Sequence, residues 1–204
     1  MRPRSGCGCW SASSGTTPAP EIGLVRHPPV SIAAGTCYGR TDVPLRPGWE
    51  RWVGEVLPVL RQPGFARIHS SPATRCRRPA AAIAAELAIP LLIDDRLAEL
   101  DFGEWEGRPW AEIPRNAVDE WAAAPLDFAP PGGEPVRAMI GRVSRCLPEL
   151  RRGPPTLLLS HGGPLRVLVR LLAGLPVDAS HPAPAMGSVR IVAMAGDPAP
   201  PDAT

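Results

Sequence analysis

Three segments of the sequence place imidazole and guanidinium groups at the ends of short apolar runs. The run EIGLVR ends at Arg26 and is followed by His27. The run ARIHS leads into SSPATR, which contains Arg75, and TLLLS ends at Ser160 and is followed by His161. Because burying like charges together is costly unless an anion offsets them, two His and two Arg near one another predict a site for an anion such as phosphate.

The apolar runs that carry these residues have the length and composition of buried β-strands. Several are continuously apolar, as expected for a mostly parallel sheet that is covered on both faces. The runs are EIGLVR, ARIHS, LLI, TLLLS and VRIVAM. Amphipathic helical patterns separate them, in GWERWVGEVLPVL, PATRCRRPAAAIAAEL, EPVRAMIGRVSRCLPEL and GPLRVLVRLLAG. The alternation predicts an α/β fold, a three-layer α/β/α sandwich, whose ligand lies outside the carboxyl ends of the strands.

Local signals predict where two of these helices begin, bend and end. Ser71 is expected to be the N-cap of the second helix, with Pro72 at the first helical position. Pro79 is expected to interrupt and kink the same helix, because proline cannot donate a backbone hydrogen bond. The last helix is expected to end at Gly174.

Length and composition restrict the class of protein. The 204 residues fit one domain, and the net charge of +2 comes from 22 basic residues, all Arg, scattered among 20 acids, which does not indicate nucleic-acid binding. The chain has no signal-peptide core and no apolar run long enough to cross a membrane. An odd number of cysteines without regular spacing favours a reducing, cytoplasmic location. The five are Cys7, Cys9, Cys37, Cys76 and Cys146.

The two ends of the chain differ in composition from its centre. Residues 1–20, rich in Gly, Ser, Thr and Pro, are expected to be a disordered leader, and residues 196–204 a flexible tail. The domain itself is expected at residues 21–195. Cys7 and Cys9 as metal ligands would be the alternative interpretation of the leader, but two thiols alone do not make a metal site. We therefore predict no metal and no cofactor.

Four of these segments together resemble a known family. RH after the first strand, SSPATR, LAELDFGEWEG and SHGGPLR are similar, in the same order, to the signatures of the histidine phosphatase superfamily, also called phosphoglycerate mutase-like. The resemblance covers residues 21–195. CYGRTDVPL, at residues 37–45, and PPGGE, at residues 130–134, resemble the branch that contains alpha-ribazole phosphatase of cobalamin synthesis.

The resemblance implies catalysis through a phosphohistidine without a metal ion. His27 would be the nucleophile, while Arg26, Arg75 and His161 would hold the phosphate oxygens. Glu99 matches the proton donor of the family. The nearby acids Asp101, Glu104 and Glu106 are alternatives for that role.

Further residues are candidates for contacts with the organic part of the substrate, and others differ from the family pattern. Tyr38, Arg40 and Ser160 are candidate substrate contacts. Pro28 and Ala33 stand where the family usually has Gly and a phosphate-binding Asn, and Arg40 or Ser160 are the candidates to replace that Asn.

The remaining His, Cys and Trp residues of interest each have a structural interpretation. His69 is interpreted as a packed histidine, and His181 as either a loop residue or part of the substrate entrance. Packing roles are predicted for the other four, namely Cys37, Cys76, Trp105 and Trp110.

These features favour a phosphatase that hydrolyses a small phosphorylated metabolite, in particular alpha-ribazole 5'-phosphate. A broad-specificity phosphatase for sugar phosphates or nucleotides is the competing enzyme, and a catalytically silent phospholigand-binding module is the competitor of another class. Mutase activity is disfavoured, because no additional carboxylate clamp is visible that would retain a phosphorylated intermediate. The sequence is compatible with a monomer or a homodimer.

Overall fold

The computed structural model describes residues 20–178 and 181–193. The predicted tail, and the predicted leader except for residue 20, lie outside the described residues, as do Cys7 and Cys9.

A single five-stranded sheet forms the centre of the described chain. Its strands are β1 (Glu21–Arg26), β2 (Arg67–Ser70), β3 (Leu91–Ile93), β4 (Thr156–Ser160) and β5 (Val189–Ala193). They lie in the order β3-β2-β4-β1-β5. The first four are parallel, and β5 is antiparallel to β1. The predicted mostly parallel sheet is therefore confirmed.

Six α-helices within the described residues accompany the sheet. They are α1 (Trp49–Arg61), α2 (Thr74–Leu87), α3 (Arg115–Ala123), α4 (Val136–Ser144), α5 (Leu147–Arg152) and α6 (Gly162–Leu172). Strand β4 shows how they form two outer layers, because successive side chains of a strand point to opposite faces. Leu157 and Leu159 pack in one core with α1 and α2, and Leu158 packs in the other with α4 and α6. The expected three layers are confirmed.

Helix α2 differs from its prediction at two points. It begins at Thr74 with Ala73 as N-cap, so the prediction of Ser71 as N-cap was wrong. The Ser71 hydroxyl accepts from the backbone N–H of Ala73 at 3.4 Å and lies 2.7 Å from Nε2 of His161. The helix also continues through Pro79 without a break. Pro79 is buried inside α2, so the hydrogen bond that it cannot donate does not end the helix.

The segment that the sequence predicts as one long helix, residues 134–150, forms two helices. Helix α4 ends at Ser144 and α5 begins at Leu147. Pro148 explains the break, because it has no N–H to donate to the carbonyl of Ser144 and its ring would clash with that carbonyl.

The segment between β3 and α4 contains elements that the sequence patterns did not reveal. Three single-turn 3₁₀ helices, at Asp95–Leu97, Gly103–Trp105 and Trp110–Glu112, precede α3. A small aromatic core holds this segment together, and it contains Trp105, Trp110, Trp121 and Phe128. Trp105 and Trp110 therefore pack as predicted.

No helix within residues 20–178 and 181–193 is both long enough and apolar enough to cross a membrane.

Candidate active site

The register of the sheet brings the two predicted active-site histidines together. Arg26 on β1 is paired with Ser160 on β4, so the residues that follow them, His27 and His161, leave the sheet side by side. The backbone N–H of His27 donates to the carbonyl of Ser160 at 3.1 Å. The centroids of the two imidazole rings are 5.2 Å apart, with the rings inclined by 66°.

The contacts of His27 determine which of its ring nitrogens can attack. Nδ1 lies 2.8 Å from the carbonyl oxygen of Pro28. Because a carbonyl can only accept, Nδ1 carries the proton and Nε2 of the neutral ring has a free lone pair. Burial lowers the pKa of His27 to about 3, and the charges of Arg75 and Arg26 act in the same direction. The ring is thus neutral at neutral pH, as a nucleophile must be.

This contact also explains how the chain tolerates proline directly after His27. Pro28 has no N–H, but its carbonyl is the group that fixes the proton on His27. The fixed φ of proline stiffens the turn that presents this carbonyl.

His161 has the opposite arrangement of protons. Nε of Arg75 donates to Nδ1 of His161 at 3.2 Å, so Nδ1 is the unprotonated nitrogen. The proton of the neutral ring therefore lies on Nε2, which donates to the Ser71 hydroxyl at 2.7 Å. Burial holds the pKa of His161 well below its usual value, and the nearby Arg75 lowers it further.

Arg75 is fully buried and held from several sides. Besides its contact with His161, its guanidinium donates to the carbonyls of Gly39 and of Thr41, the latter at 2.7 Å. It also lies over the ring of Tyr38, 5.4 Å from the ring centroid. These contacts tie the loop after β1 to the first turn of α2 and keep a fixed positive charge beside both imidazoles.

Two consecutive glycines at the start of α6 allow Arg26 and Glu99 to approach the helix end. A Cβ at Gly162 would lie 3.1 Å from Cζ of Arg26, and a Cβ at Gly163 would lie 2.3 Å from Oε1 of Glu99. The N–H of Gly163 donates to Glu99, with distances of 3.2 and 3.3 Å to the two carboxylate oxygens. The side chains that these glycines lack would displace both groups.

Arg26 is partly committed to the protein. Its Nη1 donates to the carbonyl of Pro184, while its buried Nε has no hydrogen-bond partner among the described residues. Arg26 also lines the smaller cleft, and a guanidinium beside the histidines is suited to binding a phosphate oxygen.

Glu99 stands where two clefts meet. The first, of about 590 Å³, is lined by Ser71, Arg75, Glu99 and His161 among others. The second, of about 440 Å³, is lined by Arg26 and Glu99 at one end. A carboxyl at this junction can reach an oxygen of a ligand held by the histidines and arginines.

Residues 22–198 match the sequence model of a family described as the histidine phosphatase superfamily (branch 1). The chain belongs to the histidine phosphatase superfamily. The matched residues contain the segments RH, SSPATR, LAELDFGEWEG and SHGGPLR, and with them His27, Arg75, Glu99 and His161.

Three proteins illustrate how this chain compares with its relatives. It is 33% identical over 171 residues to the bifunctional protein Rv2228c of Mycobacterium tuberculosis, a match that covers 79% of this chain and 46% of that protein. The chain thus spans about half the length of this relative. Among solved structures, Bacillus stearothermophilus YhfR superposes with a TM-score of 0.76 at 26% identity, over 87% of this chain and 93% of that one. The alpha-ribazole phosphatase of Shigella flexneri, at 23% identity and a TM-score of 0.74, covers 84% of this chain and 89% of its own, and shares the fold.

Of the four acids that the sequence leaves open as proton donors, Glu99 lines the clefts. Glu106 instead accepts hydrogen bonds from the backbone N–H groups of Arg40, Thr41 and Phe102. Burial raises the pKa of Glu106, but these bonds together with that of the Thr41 hydroxyl lower it by more.

The other two acids, Asp101 and Glu104, line neither cleft. Asp101 accepts from the N–H of Gly103 at 2.9 Å and lies 3.6 Å from the guanidinium of Arg40. Glu104 is exposed.

The three candidate substrate contacts are placed differently. Arg40 lines the larger cleft and pairs with Glu134 at 3.3 Å. Tyr38 is half-buried beneath Arg75, and burial raises the pKa of its hydroxyl. Ser160 is fully buried and donates to the carbonyl of Leu97 at 2.7 Å. The expectation that Ser160 contacts substrate or replaces the missing Asn is therefore corrected, because its hydroxyl ties β4 to the chain before Glu99.

The remaining histidines and cysteines of interest have no role in the candidate active site beyond packing. His69 is buried and contacts Asp94 at 3.3 Å, as a packed histidine would. His181 is exposed and lies 3.2 Å from Arg170 on α6, not at the larger cleft. Cys37 and Cys76 are fully buried, and burial raises the pKa of both thiols, that of Cys37 to about 12. A protonated buried thiol is a packing group.

Within the described part of the chain, no three His, Cys, Asp or Glu side chains are grouped so that they could hold a metal ion.

Sequence reasoning missed two features of the site. Ser71 was assigned to helix capping, whereas its hydroxyl contacts His161. The importance of Gly162 and Gly163 for the approach of Arg26 and Glu99 was also missed. The doubled serine and doubled glycine beside strand ends were the available signals.

Proposed function

We propose that this protein hydrolyses phosphomonoesters through a phosphohistidine at His27. The observation that carries the proposal is the state of that ring: it is buried and neutral, with its proton fixed on Nδ1 by Pro28 and its Nε2 free. Around it are the guanidiniums of Arg26 and Arg75 and the ring of His161, groups suited to the oxygens of a phosphate.

In the first step, Nε2 of His27 attacks phosphorus and the bond to the leaving oxygen breaks. Glu99, in its protonated form, gives its proton to that oxygen and is left as a carboxylate. The two arginines stabilise the charge on the non-bridging oxygens, an effect typically worth about 10²–10³ in rate for each well-placed donor. A general acid contributes about 10²–10⁴.

In the second step, water attacks the phosphohistidine and the bond between phosphorus and Nε2 breaks. Glu99 takes the proton of the water and returns to its protonated form, and inorganic phosphate leaves. This chemistry uses only side chains of the protein, so we propose that it proceeds without a metal ion or cofactor.

We further propose alpha-ribazole 5'-phosphate as the substrate, with a cytoplasmic role in cobalamin synthesis. Two segments that resemble this branch meet beside the larger cleft. Arg40 of CYGRTDVPL pairs with Glu134 of PPGGE at 3.3 Å. The carbonyls of Gly39 and Thr41, in the first of these segments, hold Arg75. The branch segments thus support the phosphate site directly. A broad-specificity phosphatase acting on sugar phosphates or nucleotides is the competing proposal.

The first test is phosphate release from 4-nitrophenyl phosphate by the wild type and by His27→Ala, with no added metal. We expect wild-type turnover, a loss of about 10² or more in the variant because the nucleophile is absent, and an acid-labile phosphoenzyme in the wild type only. Background release from both proteins, with no phosphoenzyme, would contradict hydrolysis and favour a phospholigand-binding module.

The second test compares kcat/KM for alpha-ribazole 5'-phosphate, 3-phosphoglycerate and fructose phosphates. We expect alpha-ribazole 5'-phosphate to have the highest value. A clear preference for 3-phosphoglycerate would show that the substrate assignment is wrong while leaving the phosphohistidine chemistry intact. Similar values for all substrates would favour the broad-specificity enzyme.

A further inference from the structure

The smaller of the two clefts has walls that no part of the mechanism uses. One wall is a single face of α3 and the residues after it, at spacings of three, four and seven residues. This face consists of Val118, Trp121, Ala122 and Pro125. Val136 and Met139, one turn apart on α4, form another wall. Residues at such spacings lie on one side of a helix, so the cavity is framed by two helices that present apolar groups.

Helix α3 is unusual in having no fully buried residue. Trp121 is nevertheless held in place, because it stacks on Trp110 with centroids 5.7 Å apart and planes inclined by 12°. Phe102, which also lines the cavity, meets Trp121 edge to face at 6.2 Å. An apolar helix face that the protein covers only in part is typical of a surface that binds a ligand.

The charged groups at this cavity are grouped around its catalytic end. Arg26 and Glu99 line it beside Gly162 and Gly163, and Arg166 follows one turn later on α6. Arg166 donates to the carbonyl of His181. The residues contributed by α3 and α4 are all apolar.

The larger cleft has the opposite character. Five arginines line it, namely Arg40, Arg75, Arg96, Arg142 and Arg145, and they outnumber its acids, which are Asp42, Asp95 and Glu99. A second anionic group on a substrate would find cations there and none on the α3 and α4 walls of the smaller cavity. Since Glu99 lines both spaces, the oxygen that it protonates can carry an organic group into the apolar one.

From this arrangement we propose that the cavity beneath α3 is the subsite for the leaving group, and that it selects an aromatic or otherwise large apolar group. The inference rests on the proposed hydrolysis and adds the chemical class of the alcohol released. Phe102 and Trp121 provide ring surfaces for an aromatic group. A volume of about 440 Å³ is within the range of pockets that hold small molecules.

The test uses two neighbouring alanines on α3 that are both exposed. Ala122 lines the cavity and Ala123 does not, so Ala122→Glu and Ala123→Glu form a matched pair. The substrates are 2-phenylethyl phosphate and glycerol 1-phosphate, which are both esters of a primary alcohol and differ mainly in the group carried.

For the wild type and Ala123→Glu, we expect kcat/KM for 2-phenylethyl phosphate to exceed that for glycerol 1-phosphate by about tenfold or more, mainly through KM. In Ala122→Glu, a carboxylate enters the apolar space and the preference is expected to fall to nearly one. No preference in the wild type, or equal behaviour of the two variants, would overturn the subsite.

A protein that releases no phosphate would contradict the proposed function without deciding the subsite, so binding is measured separately. Titration calorimetry compares 3-phenylpropylphosphonate with 3-hydroxypropylphosphonate, which cannot be hydrolysed. We expect the first to bind about tenfold more tightly to the wild type and to Ala123→Glu, and to lose this advantage in Ala122→Glu. Equal affinities in the wild type would overturn the subsite whether or not the protein is an enzyme.

Discussion

At the scale of single residues, the site depends on how neighbours assign one proton to each imidazole. Pro28 places the proton of His27 on Nδ1, and Arg75 excludes it from Nδ1 of His161. The two buried rings therefore have opposite tautomers. One presents a free nitrogen for attack, and the other is held between Arg75 and Ser71. Ser71 is accordingly a positioning residue.

Replacement of Ser71 by Ala tests this role. Nε2–H of His161 would lose its acceptor, and the ring would no longer be held in one orientation beside His27. We expect kcat/KM to fall by about tenfold, since small displacements of a positioned group cost rate. Ser71→Thr keeps the hydroxyl and should retain most of the activity.

The ring itself can be followed by ¹⁵N NMR of the histidines. We expect the Nε2-protonated tautomer of His161 in the wild type and in Ser71→Thr. Full activity in Ser71→Ala would show that this hydrogen bond does not position His161.

At the scale of elements, the loop after β1 is clamped to the 3₁₀ segment that follows β3. Glu106 forms this clamp by accepting from Arg40, Thr41 and Phe102. The same loop supplies the carbonyls that hold Arg75. Glu106 thus supports the proposed phosphate site from a distance, although its position in the sequence made it a candidate proton donor.

Glu104→Gln, Glu106→Gln and Glu99→Gln separate the roles of these acids. Glu106→Gln is expected to lower the free energy of unfolding by about 1–3 kcal/mol, because a charged acceptor of several hydrogen bonds is lost. Glu99→Gln should lower kcat by about 10²-fold, since the general acid is removed. Glu104 is exposed, so Glu104→Gln is the control and should change neither quantity.

Urea unfolding and steady-state kinetics measure the two effects. If Glu106→Gln reduced kcat as strongly as Glu99→Gln while leaving the unfolding free energy unchanged, the assignment of Glu99 as the sole proton donor would be wrong.

At the scale of the whole molecule, the fold keeps two neutral histidines buried at the centre of a sheet edge. The pKa of His27 is about 3 in the folded protein and 6.5 for the ordinary group. Between these values the unfolded chain binds a proton that the folded protein does not. Titration of His27 therefore does not reduce the free energy of unfolding above about pH 6.5. The free energy of unfolding falls as the pH decreases from 6.5 toward 3.

The expected size of this effect can be measured by urea unfolding at pH 7 and pH 5. Titration of His27 should contribute about 2 kcal/mol to the decrease in unfolding free energy between these two pH values. In His27→Gln this contribution is absent, so the decrease should be smaller by that amount. Equal decreases in the two proteins would show that His27 titrates alike in the folded and unfolded states.

The sequence by itself was sufficient for the architecture, because its signals are local. Apolar runs such as EIGLVR and TLLLS and the helical spacing between them do not depend on distant contacts, and they predicted the sheet and its layers. Helix ends were less accurate. Serine is a residue type favoured at N-caps, but the hydroxyl of Ser71 accepts a hydrogen bond from His161, which lies 90 residues away in the sequence. Apart from the doubled serine, such competition leaves no local signal.

The chemistry of the candidate site was determined by contacts between segments that are distant in the chain. Only the folded arrangement shows which nitrogen of His27 is free, that Glu106 holds Thr41 across 65 residues, and that Ser160 is tied to Leu97. The apolar cavity beneath α3 is also a product of packing between α3, α4 and α6. Residue types can be read from the sequence. Proton positions, however, depend on distances that arise when the sheet register brings the histidines together, and the cavity walls depend on how the helices pack.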